Sequence, residues 1–160
     1  MGMWGGFVVP TLYFSRQKGF SLPKTFQLRG CSSAWLAGAA AAGPVLFFIV
    51  TGLVQLRLGA VNGASWAGTS SGASPVAEEL LFRGFLLTAL RQRLGSVDSV
   101  AVSGALFALM HLSVEQFFQF ALLGFACGAA CVAADSVLPS VILHAGYNLA
   151  AVALALRGGS

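Results

Sequence analysis

Long stretches without ionisable residues dominate the chain. A helix needs about 20 mostly apolar residues to cross the hydrocarbon core of a membrane. No ionisable residue lies between Arg29 and Arg57, so we predict a first transmembrane helix over residues 34–56. Pro44 lies inside this helix. Membrane helices tolerate proline because neighbouring helices can satisfy the backbone groups that it leaves unbonded. The segment that follows, residues 58–74, is rich in Gly, Ser and Thr, and this composition predicts a long loop.

Four further helices follow from the same pattern. Pro75 suits the first turn of a helix, with Ser74 as its N-cap, and apolar residues carry this second helix to about Leu94. The third, fourth and fifth helices are predicted at residues 97–112, 114–134 and 137–156. Gly104 and Gly124 are each followed four residues later by another small residue, which favours close packing between helices in lipid. The pattern predicts an all-α, polytopic membrane helix bundle with about five transmembrane helices.

Composition supports the membrane class and excludes several others. Of the 160 residues, 57% are hydrophobic and 9% charged, and the mean hydropathy is +0.82, whereas a soluble domain has about 25% charged residues. A soluble enzyme, a disordered tail and a secreted disulfide scaffold are therefore excluded. The net charge of +4 comes from a few residues near predicted helix ends, which indicates membrane topology and not a nucleic-acid partner.

The chain divides into a basic N-terminal arm, residues 1–32, and a membrane domain, residues 33–160. The arm carries four basic residues in a short stretch before the first helix and no acidic residue, a pattern typical of a segment that faces a lipid surface. Those residues are Arg16, Lys18, Lys24 and Arg29. We expect an integral protein of the bacterial inner membrane or, in a phototrophic eukaryote, of a chloroplast membrane.

The few polar residues inside the predicted helices point to function, because ionisable groups are costly in a membrane. They are Glu78, Glu79, Arg83, His111, His144 and Asn148. On a helix, Glu79 and Arg83 share a face and can pair, whereas Glu78 is rotated from Glu79 by about 100°. Each residue alone also has a structural explanation: the glutamates can complement a helix dipole, the arginine can extend to the interface, and a histidine can be a packing residue.

Three motifs, in chain order, resemble those of a known family. Residues 78–84 read EELLFRG and resemble EExxxR, residues 107–111 read FALMH and resemble FxxxH, and residues 144–148 read HAGYN and resemble HxxxN. These are the motifs of the CAAX-protease and bacteriocin-processing family of intramembrane proteases, which includes the type II CAAX prenyl endopeptidases. The resemblance covers a core at about residues 75–156. It implies an endopeptidase that acts on a membrane-anchored, for instance prenylated, peptide or protein in the lipid bilayer.

The residue types match the needs of peptide-bond hydrolysis, which requires a base for water, a donor for the leaving amine and positive partial charge at the oxyanion. Glu78 is the candidate base, and His111 would orient the water or assist its deprotonation. His144 and Asn148 would donate to the oxyanion. Structural support is expected from Glu79, Arg83 and Phe107.

Two alternatives remain open at this point. Glu78, His111 and His144 are also suitable zinc ligands, although no HExxH motif is present, and this absence favours a mechanism without metal. The second alternative is a non-catalytic scaffold or accessory subunit of a larger membrane complex, such as a photosynthetic one. It is kept because family members commonly have more membrane helices than the five predicted here.

Overall fold

The part of the chain that the structure describes folds into five main helices, and they confirm the all-α class. The structure, a computed structural model, describes Tyr13, residues 21–58 and residues 75–158, and its described residues contain no strand. A short helical turn, Leu22–Thr25, precedes the first long helix. The helices are α1 (Ser33–Leu58), α2 (the consecutive segments Pro75–Glu79, Leu80–Leu86 and Leu87–Arg91), α3 (Ser96–Leu109), α4 (Phe117–Ala134) and α5 (Leu138–Gly158). Arg16, Lys18 and the predicted loop after Leu58 lie outside the described residues.

Three of the five helices are long and apolar enough to cross a membrane. They are the stretches Ser33–Leu56, Phe117–Ala134 and Leu138–Arg157. By contrast, α3 has 14 residues and is about 21 Å long, shorter than a hydrocarbon core of about 30 Å. The prediction that this helix continues to residue 112 is wrong. The chain turns after Leu109, and Leu112 has a left-handed φ of 52°.

Two helix pairs carry most of the packing. Helix α1 packs mainly against α5, and α3 packs mainly against α4, while contacts between α4 and α5 join the pairs. Backbones approach closely where glycines meet: a Cβ added to Gly124 would lie 2.9 Å from Gly104 Cα. The predicted close packing at these small residues is confirmed, because only hydrogen fits between the two helices there.

Helix α2 changes its winding within the segment Leu80–Leu86, which is a π-helix. The Leu87 N–H bonds to the Phe82 carbonyl, five residues back, and Ser103 Oγ of α3 donates to the same oxygen at 3.2 Å. Gly84 lies in this π segment against the backbone of Phe26, whose oxygen would be 3.0 Å from an added Cβ. The widened turn is thus fixed by α3 and by the chain before α1. Short π segments of this kind are frequent at functional sites.

The segment before α1 is bound to the end of the bundle. Gln27 is buried; its carbonyl accepts a hydrogen bond from Val137 N at 3.1 Å, and its Oε1 accepts one from Cys131 Sγ at 3.0 Å. Arg29 forms an exposed ion pair with Asp135, which ends α4 in a left-handed conformation. The part of the basic arm that the structure describes therefore packs on the turn between α4 and α5.

We expect Gly43→Ala to destabilise the protein. A Cβ at this position would overlap the Leu143 carbonyl oxygen and lie 2.9 Å from Tyr147 N. Both contacts are backbone atoms of α5 that cannot move aside locally, and overpacking of this kind costs about 1–3 kcal/mol. Thermal melting in detergent measures the effect.

Gly38→Ala is the matched control on the same helix. Nothing lies within 4 Å of a Cβ added there, so this variant should melt at or above the wild-type temperature, with a gain of up to about 1 kcal/mol from helix propensity. Equal melting temperatures for both variants would contradict the close contact of α1 with α5.

Candidate active site

Glu78 lies between the two imidazoles of the chain. Its Oε2 is 3.9 Å from His111 Nε2 and 4.0 Å from His144 Nε2. The three side chains come from different elements: Glu78 from α2, His111 from the turn after α3, and His144 from the second turn of α5. The structure thus brings together three of the four residues that the sequence analysis assigned to catalysis.

Each imidazole also forms a hydrogen bond through Nδ1, the ring nitrogen that does not face Glu78. His111 Nδ1 lies 2.7 Å from the Phe107 carbonyl oxygen, and His144 Nδ1 lies 2.8 Å from Glu79 Oε1. A carbonyl and a carboxylate can only accept, so both Nδ1 atoms carry the proton. In a neutral imidazole, the Nε2 atom near Glu78 is then an acceptor.

Glu79 and Arg83 form a fully buried ion pair. Arg83 Nη1 is 3.1 Å from Glu79 Oε1, and both side chains are 0% exposed, which confirms the predicted pair. Arg83 Nη2 also donates to the Gly124 carbonyl at 2.8 Å, and its guanidinium carbon lies 4.6 Å from the Phe107 ring centroid. Because Glu79 Oε1 also accepts from His144, this pair extends into the site and orients an imidazole. The sequence analysis missed that link, since residues 79 and 144 are far apart in the chain.

Two phenylalanines pack against the imidazoles. The Phe107 ring is fully buried and meets His144 nearly edge to face, at 5.6 Å and 82°. The Phe120 ring, in the first turn of α4, stacks on His111 with centroids 3.8 Å apart and planes at 21°. Phe107 was predicted to support the site, whereas Phe120 was missed because one aromatic residue in an apolar helix carries no sequence signal.

Asn148 lies one turn after His144 on α5, so it shares the face of that imidazole. Its side chain is half-buried. It makes no hydrogen bond with another residue in the described part of the chain. The structure therefore places Asn148 on the same face of α5 as His144, and its role in the site stays a prediction.

The site is buried at one end and partly open at the other. The side chains of Glu78 and His144 are 5% and 4% exposed, whereas that of His111 is 17% exposed. Among the described residues, Glu78 Oε2 has no hydrogen-bond partner. An apolar groove of about 410 Å³ adjoins the turn that carries His111, and it is lined by Ala108, Leu109, Leu112, Ser113, Val114 and Phe117. The groove thus lies beside the more exposed imidazole, whereas Glu78 and His144 are not among its lining residues.

A second cluster of ligand-type side chains lies behind the first. Ligand atoms of Glu79, Cys127 and His144 lie within 4.8 Å of one another, and all three residues are buried. Polar atoms of this cluster already have partners, because Glu79 Oε1 bonds to Arg83 and to His144, and Cys127 Sγ lies 3.7 Å from the Ser140 carbonyl oxygen. We assign this cluster to the support of His144 and not to a metal.

Comparison with protein families identifies the chain. The family model for type II CAAX prenyl endopeptidase Rce1-like proteins matches residues 41–150. The chain belongs to this family. Comparison with curated proteins and with solved structures gives no match.

The three motifs lie within the matched residues, so this finding confirms the resemblance on which the sequence analysis depended. The chain is accordingly an integral membrane member of a protease family. Glu78, His111 and His144 approach one another in a structure that carries all three family motifs.

We expect Glu79→Gln to destabilise the protein strongly. It removes the counter-ion of Arg83 and leaves a buried guanidinium uncompensated, which costs about 3–5 kcal/mol. Combining Glu79→Gln with Arg83→Met should restore part of the loss, because both charges are then absent. Melting in detergent of the two single variants and the double variant measures the coupling.

Asp135→Asn is the matched control for this carboxylate change. Asp135 pairs with Arg29, but their side chains are 56% and 54% exposed, and exposed pairs contribute about 1 kcal/mol or less. If Glu79→Gln melts like Asp135→Asn, the buried pair is not the stabilising element described here.

Proposed function

We propose that this protein is an intramembrane endopeptidase that hydrolyses a peptide bond of a membrane-anchored, prenylated substrate with a water activated by Glu78. One observation carries the proposal. The buried Glu78 Oε2 has no hydrogen-bond partner in the described residues, yet it lies about equally far from two imidazole nitrogens. Other buried polar atoms of the described residues, such as Glu79 Oε2 and Arg83 Nε, also lack a hydrogen-bond partner. Glu78 Oε2 differs from them because two imidazole nitrogens approach it, and this combination supports a catalytic role.

Glu78 and His111 would activate the water together. With Nδ1–H bonded to Phe107, neutral His111 presents an acceptor at Nε2. A carboxylate oxygen and this nitrogen can each accept one hydrogen of the same water molecule. The water's lone pair then points away from both acceptors and toward a substrate carbonyl, and Glu78 takes the proton as the new C–O bond forms.

His144 would stabilise the oxyanion. Its Nδ1–H is held by Glu79, so donation through Nε2 requires the doubly protonated imidazolium, for which the Glu79 carboxylate is the counter-ion. The Asn148 carboxamide, on the same face of α5, supplies the second donor. Donors fixed before the reaction stabilise the developing charge without reorganising, and one such donor is worth about 100-fold to 1,000-fold in kcat.

The proton taken by Glu78 would complete the reaction. When the tetrahedral intermediate collapses, the C–N bond breaks and protonated Glu78 gives its proton to the departing amine nitrogen. The acid product loses its remaining proton to solvent as a carboxylate. Glu78 returns to its starting state, so one water is consumed for each bond cleaved.

The same three side chains, Glu78, His111 and His144, are suitable by type for a zinc ion. The described residues whose ligand atoms all lie within 4.8 Å of one another are, however, Glu79, Cys127 and His144. Glu78 Oε2 and the two Nε2 atoms would hold the zinc ion, and it would supply an acidic water. The protein's own groups already provide a base and oxyanion donors, which favours the version without metal.

The substrate class follows from the family and from the groove beside His111. The groove is apolar and adjoins the partly exposed end of the site, so a prenyl chain bound there would bring the adjoining peptide toward Glu78. Membership of the type II CAAX prenyl endopeptidase Rce1-like family supports the same substrate.

Glu78→Gln should abolish cleavage of a farnesylated peptide that ends in a CAAX sequence. Glutamine keeps the size and the hydrogen-bonding capacity but cannot take a proton, and loss of a general base costs about 100-fold to 10,000-fold in rate. The melting temperature should stay near that of wild type, because Glu78 Oε2 has no hydrogen-bond partner among the described residues and lies 3.9 Å and 4.0 Å from the two imidazole nitrogens, beyond hydrogen-bond distance. The assay uses purified protein in proteoliposomes.

Glu115→Gln is the control, since Glu115 is exposed in the turn before α4 and should keep wild-type turnover. Full turnover by Glu78→Gln would contradict the proposed base. Loss of wild-type activity on chelation, with recovery on adding Zn²⁺, would favour the metal version. A wild type that cleaves nothing, together with a Glu78→Gln variant that disrupts a native complex, would favour the scaffold alternative.

A further inference from the structure

The imidazole of His111 lies at the more exposed side of the site. It belongs to a turn and not to a helix, and its side chain is 17% exposed, against 4% for His144. Its one hydrogen bond within the described residues is the bond from Nδ1 to the Phe107 carbonyl, four residues earlier. A single bond through one ring atom fixes that atom but leaves the ring free to tilt about it.

A ring stacked on the imidazole removes this freedom. Phe120 lies parallel to His111 within 21°, with centroids 3.8 Å apart, while the Phe107 ring contacts His111 at 4.7 Å and 56°. Phe120 is held in turn by α4, where its backbone N–H bonds to the Gln116 carbonyl at 3.0 Å. The plane of the imidazole is therefore set by a side chain from a different helix.

We propose that Phe120 is a positioning residue for His111. The stacked ring keeps His111 Nε2 directed at Glu78 Oε2, so that the two acceptors share one water. The activity part of this inference rests on the proposed function, whereas the position of the imidazole does not.

The kinetic test compares Phe120→Leu with Phe120→Tyr. Leucine is apolar but not planar, and displacement of a catalytic group by about 1 Å can cost about 100-fold in rate. We expect kcat to fall by about 10-fold to 100-fold while KM changes less than about threefold, since in this proposal Phe120 acts through His111 and not on the substrate. Tyrosine keeps the flat ring, so the kcat of Phe120→Tyr should stay within about threefold of that of the wild-type protein.

Phe118→Leu is the matched control, because this neighbouring phenylalanine is 46% exposed and lies on another face of the helix. It should leave kcat unchanged. If Phe120→Leu fails to fold, judged by melting in detergent, Phe120→Met makes the same comparison with an unbranched side chain. An unchanged kcat in Phe120→Leu, or an equal loss in Phe118→Leu or Phe120→Tyr, overturns the proposal.

A spectroscopic test needs no substrate. The chain contains two histidines, so protein labelled with ¹⁵N-histidine has two imidazoles, and a His144→Gln variant assigns the signals of His111. In wild type, the nitrogen shifts of His111 should show a single tautomer protonated at Nδ1. Phe120→Leu should give shifts averaged between tautomers.

This spectroscopic result separates the two proposals. If wild type cleaves no prenylated peptide but Phe120→Leu changes the His111 shifts, the proposed function fails and the positioning role stands. If the His111 shifts are identical in wild type and Phe120→Leu, the positioning role is wrong whatever the activity.

Discussion

Burial of the Arg83 guanidinium is the constraint on which the rest of the structure depends. A permanently charged group with no exposed surface needs charge and hydrogen-bond partners on several sides. Here Glu79 supplies the negative charge, the Gly124 carbonyl accepts a further hydrogen bond, and the Phe107 ring lies beneath the guanidinium. These partners come from α2, α4 and α3, so the contacts of one buried side chain join three helices.

The same network sets the geometry of the site. Glu79 is fixed by Arg83 and in turn holds His144, while Phe107 contacts Arg83 through its ring and His111 through its carbonyl. Glu79 thus positions His144, and Phe107 positions His111; both residues contact the buried Arg83. Glu78 lies next to Glu79 in sequence but takes no part in the ion pair with Arg83, and its Oε2 has no hydrogen-bond partner among the described residues.

Close backbone contact and the π segment make this cluster possible. Glycines at positions 104 and 124 let α3 and α4 approach until the Gly124 carbonyl can reach Arg83. The π segment carries Arg83 itself, and it is held by Ser103 from α3 and by Phe26 from the chain before α1. Residues outside the three membrane-spanning stretches thus help to support α2, the helix that carries Glu78.

The sequence alone determined the helical class, the approximate helix bounds and the pairing of Glu79 with Arg83. These features depend on local composition or on the four-residue spacing of a helix, both of which can be read along the chain. It also indicated Glu78, His111 and His144 as candidate site residues, because ionisable groups are rare in apolar segments. Only the tertiary structure decided that Glu79 holds His144, that Phe120 stacks on His111 and that α2 contains a π segment. Those features depend on contacts between residues distant in sequence, where the energy of packing and of paired buried charges overrides the local pattern.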